Sequence, residues 1–386
     1  MRRLRTRMAL RRFSSYLHRQ PAMASPQNIH VAVIGVGLVG SELVSQLLAL
    51  PSSSPFKLVS LSSSTRTIFS ATGLSSTWRS QLSTSAEQPD LTRLTQQLSG
   101  LGKVAVIDNT SSEDVAAMYP TWLNAGISVI TPNKKAFSGD LSLYEQIIAA
   151  TRTQTGGRVF NEATVGAGLP VIGTLKDLVG TGDKIMKIEG VFSGTMSYIF
   201  NEFSTGKPDG PAFSSVVKIA REKGYTEPHP ADDLNGFDVA RKLTILSRTI
   251  STYALAPTAL PSLNSFADVQ TASLIPPALE GIPTGDEFIA RLPEFDAQFD
   301  QMRAEASKDG QVLRFVGVVD AVGGQVRAGL ECYPSTHPFA TSLGGSDNII
   351  MFHTERYGAR PLIVQGAGAG AAVTAMGVLG DLLKLA

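Results

Sequence analysis

His30-Val31-Ala32-Val33-Ile34-Gly35-Val36-Gly37-Leu38-Val39-Gly40 decides the architecture of this 386-residue chain. A short, largely apolar run suits a buried strand, and the residues from Ser41 to Leu50 then read as a helix. Between them stand glycines in the spacing G-x-G-x-x-G. In that setting Gly35 permits a tight turn, Gly37 lets a pyrophosphate approach the backbone, and Gly40 lets helix pack on strand. The segment Gly35, Val36, Gly37, Leu38, Val39 and Gly40 would then present its amides to phosphates at the positive end of a helix dipole. A tight structural turn is the competing reading. The flanking strand and helix favour a dinucleotide.

Working outward, Lys57–Leu61, Val104–Ile107, Ile127–Ile130 and Arg158–Phe160 read as further strands. Helices are expected near 113–124 and over 141–151, and the serine-rich stretches 52–54, 62–64 and 75–85 as loops. Short strands alternating with helices predict an α/β, Rossmann-like, doubly wound parallel sheet over residues 28–162. Beyond about residue 162 the texture changes. Val312–Val319 and Gln325–Leu330 look like an antiparallel pair joined at Gly323-Gly324, so 163–350 is read as a second α+β domain for substrate binding and dimerisation. A Gly-rich turn at 366–370 leads into an apolar helix from Ala371 to Leu385. The segment 351–386 is therefore expected to return and complete the nucleotide-binding domain.

Hydrophobic residues make up 43% and charged residues 17%, with a formal net charge of +1. That balance lacks the cationic surplus of a dedicated nucleic-acid binder. No apolar run approaches the roughly 20 residues needed to cross a bilayer. The single cysteine, Cys332, excludes an intrachain disulfide and any multi-cysteine metal site. Glu331 beside it opposes a thiolate, so an inert or weakly redox-sensitive thiol is expected. His229, bracketed by prolines, reads as a solvated loop residue, and no histidine pair has zinc-ligand spacing. Residues 1–27 carry Arg2, Arg3, Arg5, Arg7, Arg11, Arg12 and Arg19 before any acidic residue. Two readings stand: a mitochondrial presequence, or an untranslated leader with Met23 as the start and a cytoplasmic protein.

The second strand ends without the acidic residue that grips an adenine-ribose hydroxyl. Ser62-Ser63-Ser64-Thr65-Arg66 follows instead. Arg66 suits a 2′-phosphate, favouring NADP over NAD, or it is a solvated loop residue. Lys134 and Lys135 leave a sheet-end loop near the expected cofactor, where two surface lysines are the plain alternative. Gly224-Tyr225-Thr226-Glu227-Pro228, followed by Asp232 to Leu243, places several carboxylates and a lysine beside a helix. Asp238 and Lys242, four residues apart, project from neighbouring turns of one face. Val239, Leu243 and Leu246 form its apolar stripe, with Arg241 and Arg248 expected on the opposite side. A carboxylate that holds an ammonium and a lysine that manages a proton suit reduction of an amino-acid aldehyde. An ordinary exposed ion pair worth about 0.3–0.5 kcal/mol is the alternative.

Taken together, these blocks resemble homoserine dehydrogenase in its short fungal form, over Asn28 to Leu385. The likeness rests on Val31–Gly37, Asp108-Asn109-Thr110-Ser111, Thr131–Phe137, Asn161–Pro170, Phe192-Ser193-Gly194-Thr195, Gly224–Lys242, His337–Ala340, Gly345–Asn348 and the terminal glycine turn. The resemblance implies reversible NAD(P)-dependent reduction of L-aspartate 4-semialdehyde to L-homoserine, a step toward threonine and methionine, by a homodimer. It makes Lys242 the proton-transferring residue, with Glu227 and Asp238 at the substrate and Lys135 near both substrate and nicotinamide. Thr110, Gly224 and Gly370 match cofactor-site positions. Glu162, Val165, Ala167 and Leu169 match a sodium site served mainly by main-chain oxygens. Two other functions compete. One is another dehydrogenase of the aspartate pathway, which would need an acylated cysteine in a setting Cys332 lacks. The other is a non-catalytic NAD(P)-binding redox sensor, which has no use for a proton donor.

Overall fold

The computed structural model describes residues 28–386; the Arg-rich segment 1–27, with Met1 and Met23, lies outside the described residues. The opening run forms β1 (Ile29–Ile34), in which Val31, Ala32 and Val33 are wholly buried. With β2 (Phe56–Ser62), β3 (Thr67–Phe69), β4 (Val104–Asp108), β5 (Ser128–Ile130) and β6 (Val159–Phe160) it makes a sheet of order β3-β2-β1-β4-β5-β6. Every pairing is parallel except that of β3, which folds back antiparallel along β2. Strands covered on both faces read as unbroken apolar runs, which is why these were visible in the sequence. Ile34 stands opposite both Ser62 and Asp108, so the loops leaving β1, β2 and β4 open on one edge. That carboxyl edge is where such sheets hold ligands.

Helix α1 (Leu38–Leu48) follows β1 directly. The single helix expected near 113–124 is two, α2 (Glu113–Ala117) and α3 (Tyr119–Asn124), with Pro120 in the first turn of the second. Proline there can begin a helix but cannot continue one. The stretch 75–85 is also not all loop: Trp78–Thr84 is helical and buries Trp78 and Leu82, one turn apart. After β5 come α4 (Lys135–Ser138) and α5 (Leu141–Thr151).

The second sheet has the order β12-β11-β7-β9-β10-β8, built from β7 (Ile185–Val191), β8 (Gln270–Thr271), β9 (Gln311–Asp320), β10 (Gln325–Pro334), β11 (Asp347–Thr354) and β12 (Leu362–Ala367). The β9–β10 hairpin is as expected, and Asp320 Oδ1 accepts the Val322 and Gly323 amides in its turn. Helices α6 (Ile172–Gly180), α7 (Gly194–Phe203) and α8 (Phe237–Tyr253) accompany this sheet. Helix α8 approaches β9 closely because Gly317 has no side chain. A Cβ there would meet Leu243 Cδ2 at 2.7 Å and Val239 Cγ1 at 3.0 Å.

Two expectations are corrected here. Residues 351–386 do not return as one piece: β11 and β12 pair within the second sheet, and only α9 (Ala371–Leu383) crosses back. Its Ala375, Val378 and Leu382 pack with Leu43, Val44 and Leu47 of α1, and burying each larger side chain contributes about 1.5–3 kcal/mol. Arg248 is not on an exposed face. It is 5% exposed, and its guanidinium donates to the carbonyls of Phe137, Gly139, Leu263 and Asn264. Those carbonyls lie far away in sequence, so helical projection alone cannot anticipate them. Among the described residues no helix is long and apolar enough to cross a membrane.

Candidate active site

The glycine turn has the geometry its sequence requires. Gly35 sits at φ +88, and a Cβ on Gly40 would lie 1.9 Å from the Gly35 carbonyl oxygen, so neither position accepts another residue without rebuilding. Gly37 caps α1, Val36 and Val39 pack partly against the core, and Leu38 is left 86% exposed beside the turn. Thr110 adjoins this turn: its Cγ2 lies 2.8 Å from where a Gly35 Cβ would stand. Gly370, at φ +116, caps α9, whose Ala372 carbonyl accepts a hydrogen bond from Gln46 of α1. Arg66 is exposed at the end of a turn in which Ser63 Oγ accepts its amide at 3.0 Å. Gly35 to Gly40, Thr110 and Arg66 thus lie in the segments that leave β1, β4 and β2 at the carboxyl edge of the first sheet.

A buried polar network under this edge was not visible in the sequence. Asp108 is fully buried, and its carboxylate accepts from Tyr119 Oη at 2.5 Å, Asn133 Nδ2 at 3.0 Å and the Thr110 amide at 2.8 Å. Burial pushes the Asp108 carboxyl up, and these hydrogen bonds pull against it. The network ties the loop after β4 to the loop after β5. Asn133 Oδ1 in turn accepts the Lys135 amide at 3.0 Å, fixing the start of α4. Asp108-Asn109-Thr110 and Asn133 were legible as blocks, but their mutual contact is a tertiary fact.

Opposite stands the start of α8. Gly236, at φ +75, turns the chain into the helix, and Asp238 and Lys242 emerge one turn apart. Asp238 Oδ2 lies 2.7 Å from Lys242 Nζ, and its Oδ1 lies 3.3 Å from Lys134 Nζ. The Lys242 ammonium also donates to the Phe192 carbonyl at 2.6 Å. Lys242 is 6% exposed, while the Asp238 side chain is 44% exposed toward the open cleft. Desolvation by the surrounding protein opposes the Asp238 charge, but the Lys134 and Lys242 ammoniums prevail and hold the carboxyl well below its usual range. Burial lowers the Lys242 pKa, as does Lys134, with Asp238 pulling it back up. An ammonium held below its ordinary pKa is better placed to release a proton near neutrality.

Of the two lysines after β5, Lys134 reaches this pair. Lys135 instead forms an ion pair with Glu113 of α2 at 3.1 Å. Glu227 is exposed at the mouth, and its amide donates to Asp233 Oδ2 at 2.8 Å. Asp233 was not singled out from the sequence. Burial, with the charges of Glu227 and Asp238, pushes its carboxyl up to about 6 against the Glu227 and Thr195 hydrogen bonds. Gly224, at φ +71, ends the helix before this loop and is exposed. Asp238 therefore stands beside two ammoniums, one of them buried, with Asp233 close by and Glu227 joined to Asp233 through its amide. Such a cleft can hold a substrate ammonium while presenting a proton to a carbonyl oxygen.

The loop 162–169 can hold a hard monovalent cation. The Glu162 carboxylate is taken up by the amides of Val171, Ile172 and Gly173 at the start of α6, at 2.7, 2.6 and 2.8 Å. Gly166 and Ala167 follow one another at φ +78 and +55. This twists the loop so that, among the described residues, the Val165 and Ala167 carbonyls accept no main-chain hydrogen bond, while Leu169 accepts from Val171. Among the described residues there is no cluster of three acidic, histidine or cysteine ligands for a metal. A sodium ion bound by carbonyls does not need one.

Cys332 is exposed on β10, and burial of its thiol together with Asp309 raises its pKa, as an unreactive cysteine requires. His229 is half-buried rather than solvated: its Nε2 lies 2.9 Å from the Ile282 carbonyl, with the ring against Phe288.

The family model for homoserine dehydrogenase matches residues 170–383, and that for the homoserine dehydrogenase NAD-binding domain matches 35–161. The chain is 46% identical over 368 residues to the homoserine dehydrogenase of Saccharomyces cerevisiae, covering 94% of this chain and 99% of the relative. A Candida auris protein of unknown function, solved by crystallography, superposes with a TM-score of 0.86 at 44% identity, covering 93% and 98% of the two chains. A hyperthermophilic archaeal homoserine dehydrogenase solved with NADPH shares the fold at TM-score 0.67 and 21% identity, covering 93% and 97%. The chain belongs to the homoserine dehydrogenase family, NAD(P)-dependent oxidoreductases that interconvert L-aspartate 4-semialdehyde and L-homoserine.

Proposed function

We propose that Lys242 is the proton donor and acceptor of this reaction, with Asp238, Glu227 and Asp233 holding the substrate ammonium. The observation that carries the reading is the buried Lys242 ammonium between Asp238 and the Phe192 carbonyl, at 2.7 and 2.6 Å. When bound, the reduced nicotinamide supplies hydride to the aldehyde carbon. Lys242 donates one hydrogen to Asp238 and one to Phe192, leaving a third for the substrate oxygen as negative charge develops there. That hydrogen is transferred as the alcohol forms. In the reverse direction neutral Lys242 accepts it. The carboxylates fix the other end of the substrate, which keeps the reacting carbon in place.

Lys134 bridges to Asp238 and holds its charge, while Lys135, which the family resemblance sets near substrate and nicotinamide, heads α4 and is paired with Glu113. A spectrophotometric assay of NADPH loss with aspartate semialdehyde tests the assignment. Glu227→Gln should raise KM for the aldehyde about tenfold, as expected on losing one charged hydrogen bond, with KM for NADPH unchanged. An unaltered aldehyde KM would remove Glu227 from the site.

The cofactor is read as NADP. The loop after β2 offers serine hydroxyls and the exposed Arg66 where a 2′-phosphate would lie, and Ser63 orders that loop. Arg66→Ala should weaken NADPH binding about 10–100-fold, measured by fluorescence titration, with NADH binding unchanged. Equal losses for both would assign Arg66 a general structural role.

Sodium fits the 162–169 loop through the carbonyls of Glu162, Val165, Ala167 and Leu169, as a structural ion. A homodimer built through the second domain is part of this reading. Residence in the cytoplasm goes with a start at Met23, and import into mitochondria with translation of the Arg-rich 1–27.

A further inference from the structure

We propose that Asn348 is a positioning residue for Lys242, acting through the main-chain carbonyl of Phe192; the inference rests on the proton-transfer role of Lys242. Asn348 is fully buried at the start of β11, opposite Gly366 of β12. Its Nδ2 donates to the Phe192 oxygen at 2.9 Å, the same oxygen that accepts Lys242 Nζ at 2.6 Å. Because that oxygen can only accept, the amide must face it with its nitrogen.

Phe192 lies one residue beyond β7, past the last paired position, Val191 opposite Ile349, and one residue before the cap of α7. No main-chain amide among the described residues holds its carbonyl. The Asn348 amide is therefore what sets the direction of that oxygen when Lys242 moves toward substrate. Asp238, the other partner of Lys242, is half-exposed and shared with Lys134, so it is the softer of the two anchors.

The amide itself has nowhere else to go. A Cβ on Gly368 would lie 2.1 Å from Asn348 Cγ and Nδ2, so the amide lies flat against the Gly368 backbone. Its Oδ1 is buried without a partner. A group seated to satisfy itself would not leave an acceptor orphaned; one seated to donate to Phe192 would. Gly368 belongs to the turn that leads to Gly370 and α9, so Asn348 also joins the lysine to the cofactor edge.

The test is a double-mutant cycle on kcat with saturating aspartate semialdehyde and NADPH. Asn348→Ala should lower kcat about tenfold with both KM values and NADPH binding unchanged. In a Lys242→Ala background the same change should alter kcat less than about twofold, since the residue it positions is gone. Asn348→Leu, close in size and without a donor, should reproduce the loss if the alanine variant fails to fold. Equal losses in both backgrounds, or full activity in Asn348→Ala and Asn348→Leu, would overturn the proposal. Full activity in Lys242→Ala alone would instead remove the proton-transfer reading beneath it.

Discussion

Lys242→Ala should lose about 10²–10⁴ in kcat for aldehyde reduction while binding NADPH as the parent does. The range is that of a general acid removed from an otherwise intact site. The site should survive, because Asp238 keeps Lys134 as a partner at 3.3 Å and Asn348 keeps hold of Phe192. Lys242→Arg separates two contributions. Arginine retains a positive charge but does not release a proton in the accessible pH range. It should therefore recover little of the loss if proton transfer dominates, and most of it if charge alone stabilises the forming alkoxide. Stopped-flow measurement of NADPH oxidation, with fluorescence titration of the cofactor, checks both variants.

Asp238→Asn carries the second large effect, a fall in kcat/KM for the aldehyde of about 10–10³-fold with cofactor affinity unchanged. Two losses combine in it. The substrate ammonium loses a carboxylate, and Lys242 loses the charge that opposes its depressed pKa. The second loss has its own signature. Without Asp238 the Lys242 ammonium is less stable, so the pH above which reduction fails should move to lower values. A variant in which only cofactor affinity changed would show that Asp238 does not meet the substrate.

What the sequence displayed well were features carried by local pattern. The strand, glycine turn and helix at 30–50, the hairpin at 312–330 and the apolar C-terminal helix are each short-range signals, and each has the expected form. The helix 78–84 was hidden because the stretch around it, 75–85, is rich in serine and threonine, and only Trp78 and Leu82 reveal its buried side. Lys134 and Lys135 are neighbours that differ by about 100° around a helical start, and residue spacing cannot say which reaches Asp238. Arg248 looked like a surface cation because its four carbonyl partners come from other segments. Asp108, Asp233 and Asn348 share that problem: their roles depend on partners 6 to 156 residues away. Buried polar groups are explained by what satisfies them, and that is tertiary information.

The paired pH dependence of the two reaction directions bears most directly on the mechanism. Aldehyde reduction requires the lysine ammonium, so its kcat should fall as pH rises through the Lys242 pKa, below the ordinary lysine value. Homoserine oxidation requires the neutral amine, so its kcat should fall as pH drops through the same value, and both limbs should vanish in Lys242→Ala. Limbs that persist unchanged in Lys242→Ala would contradict the account.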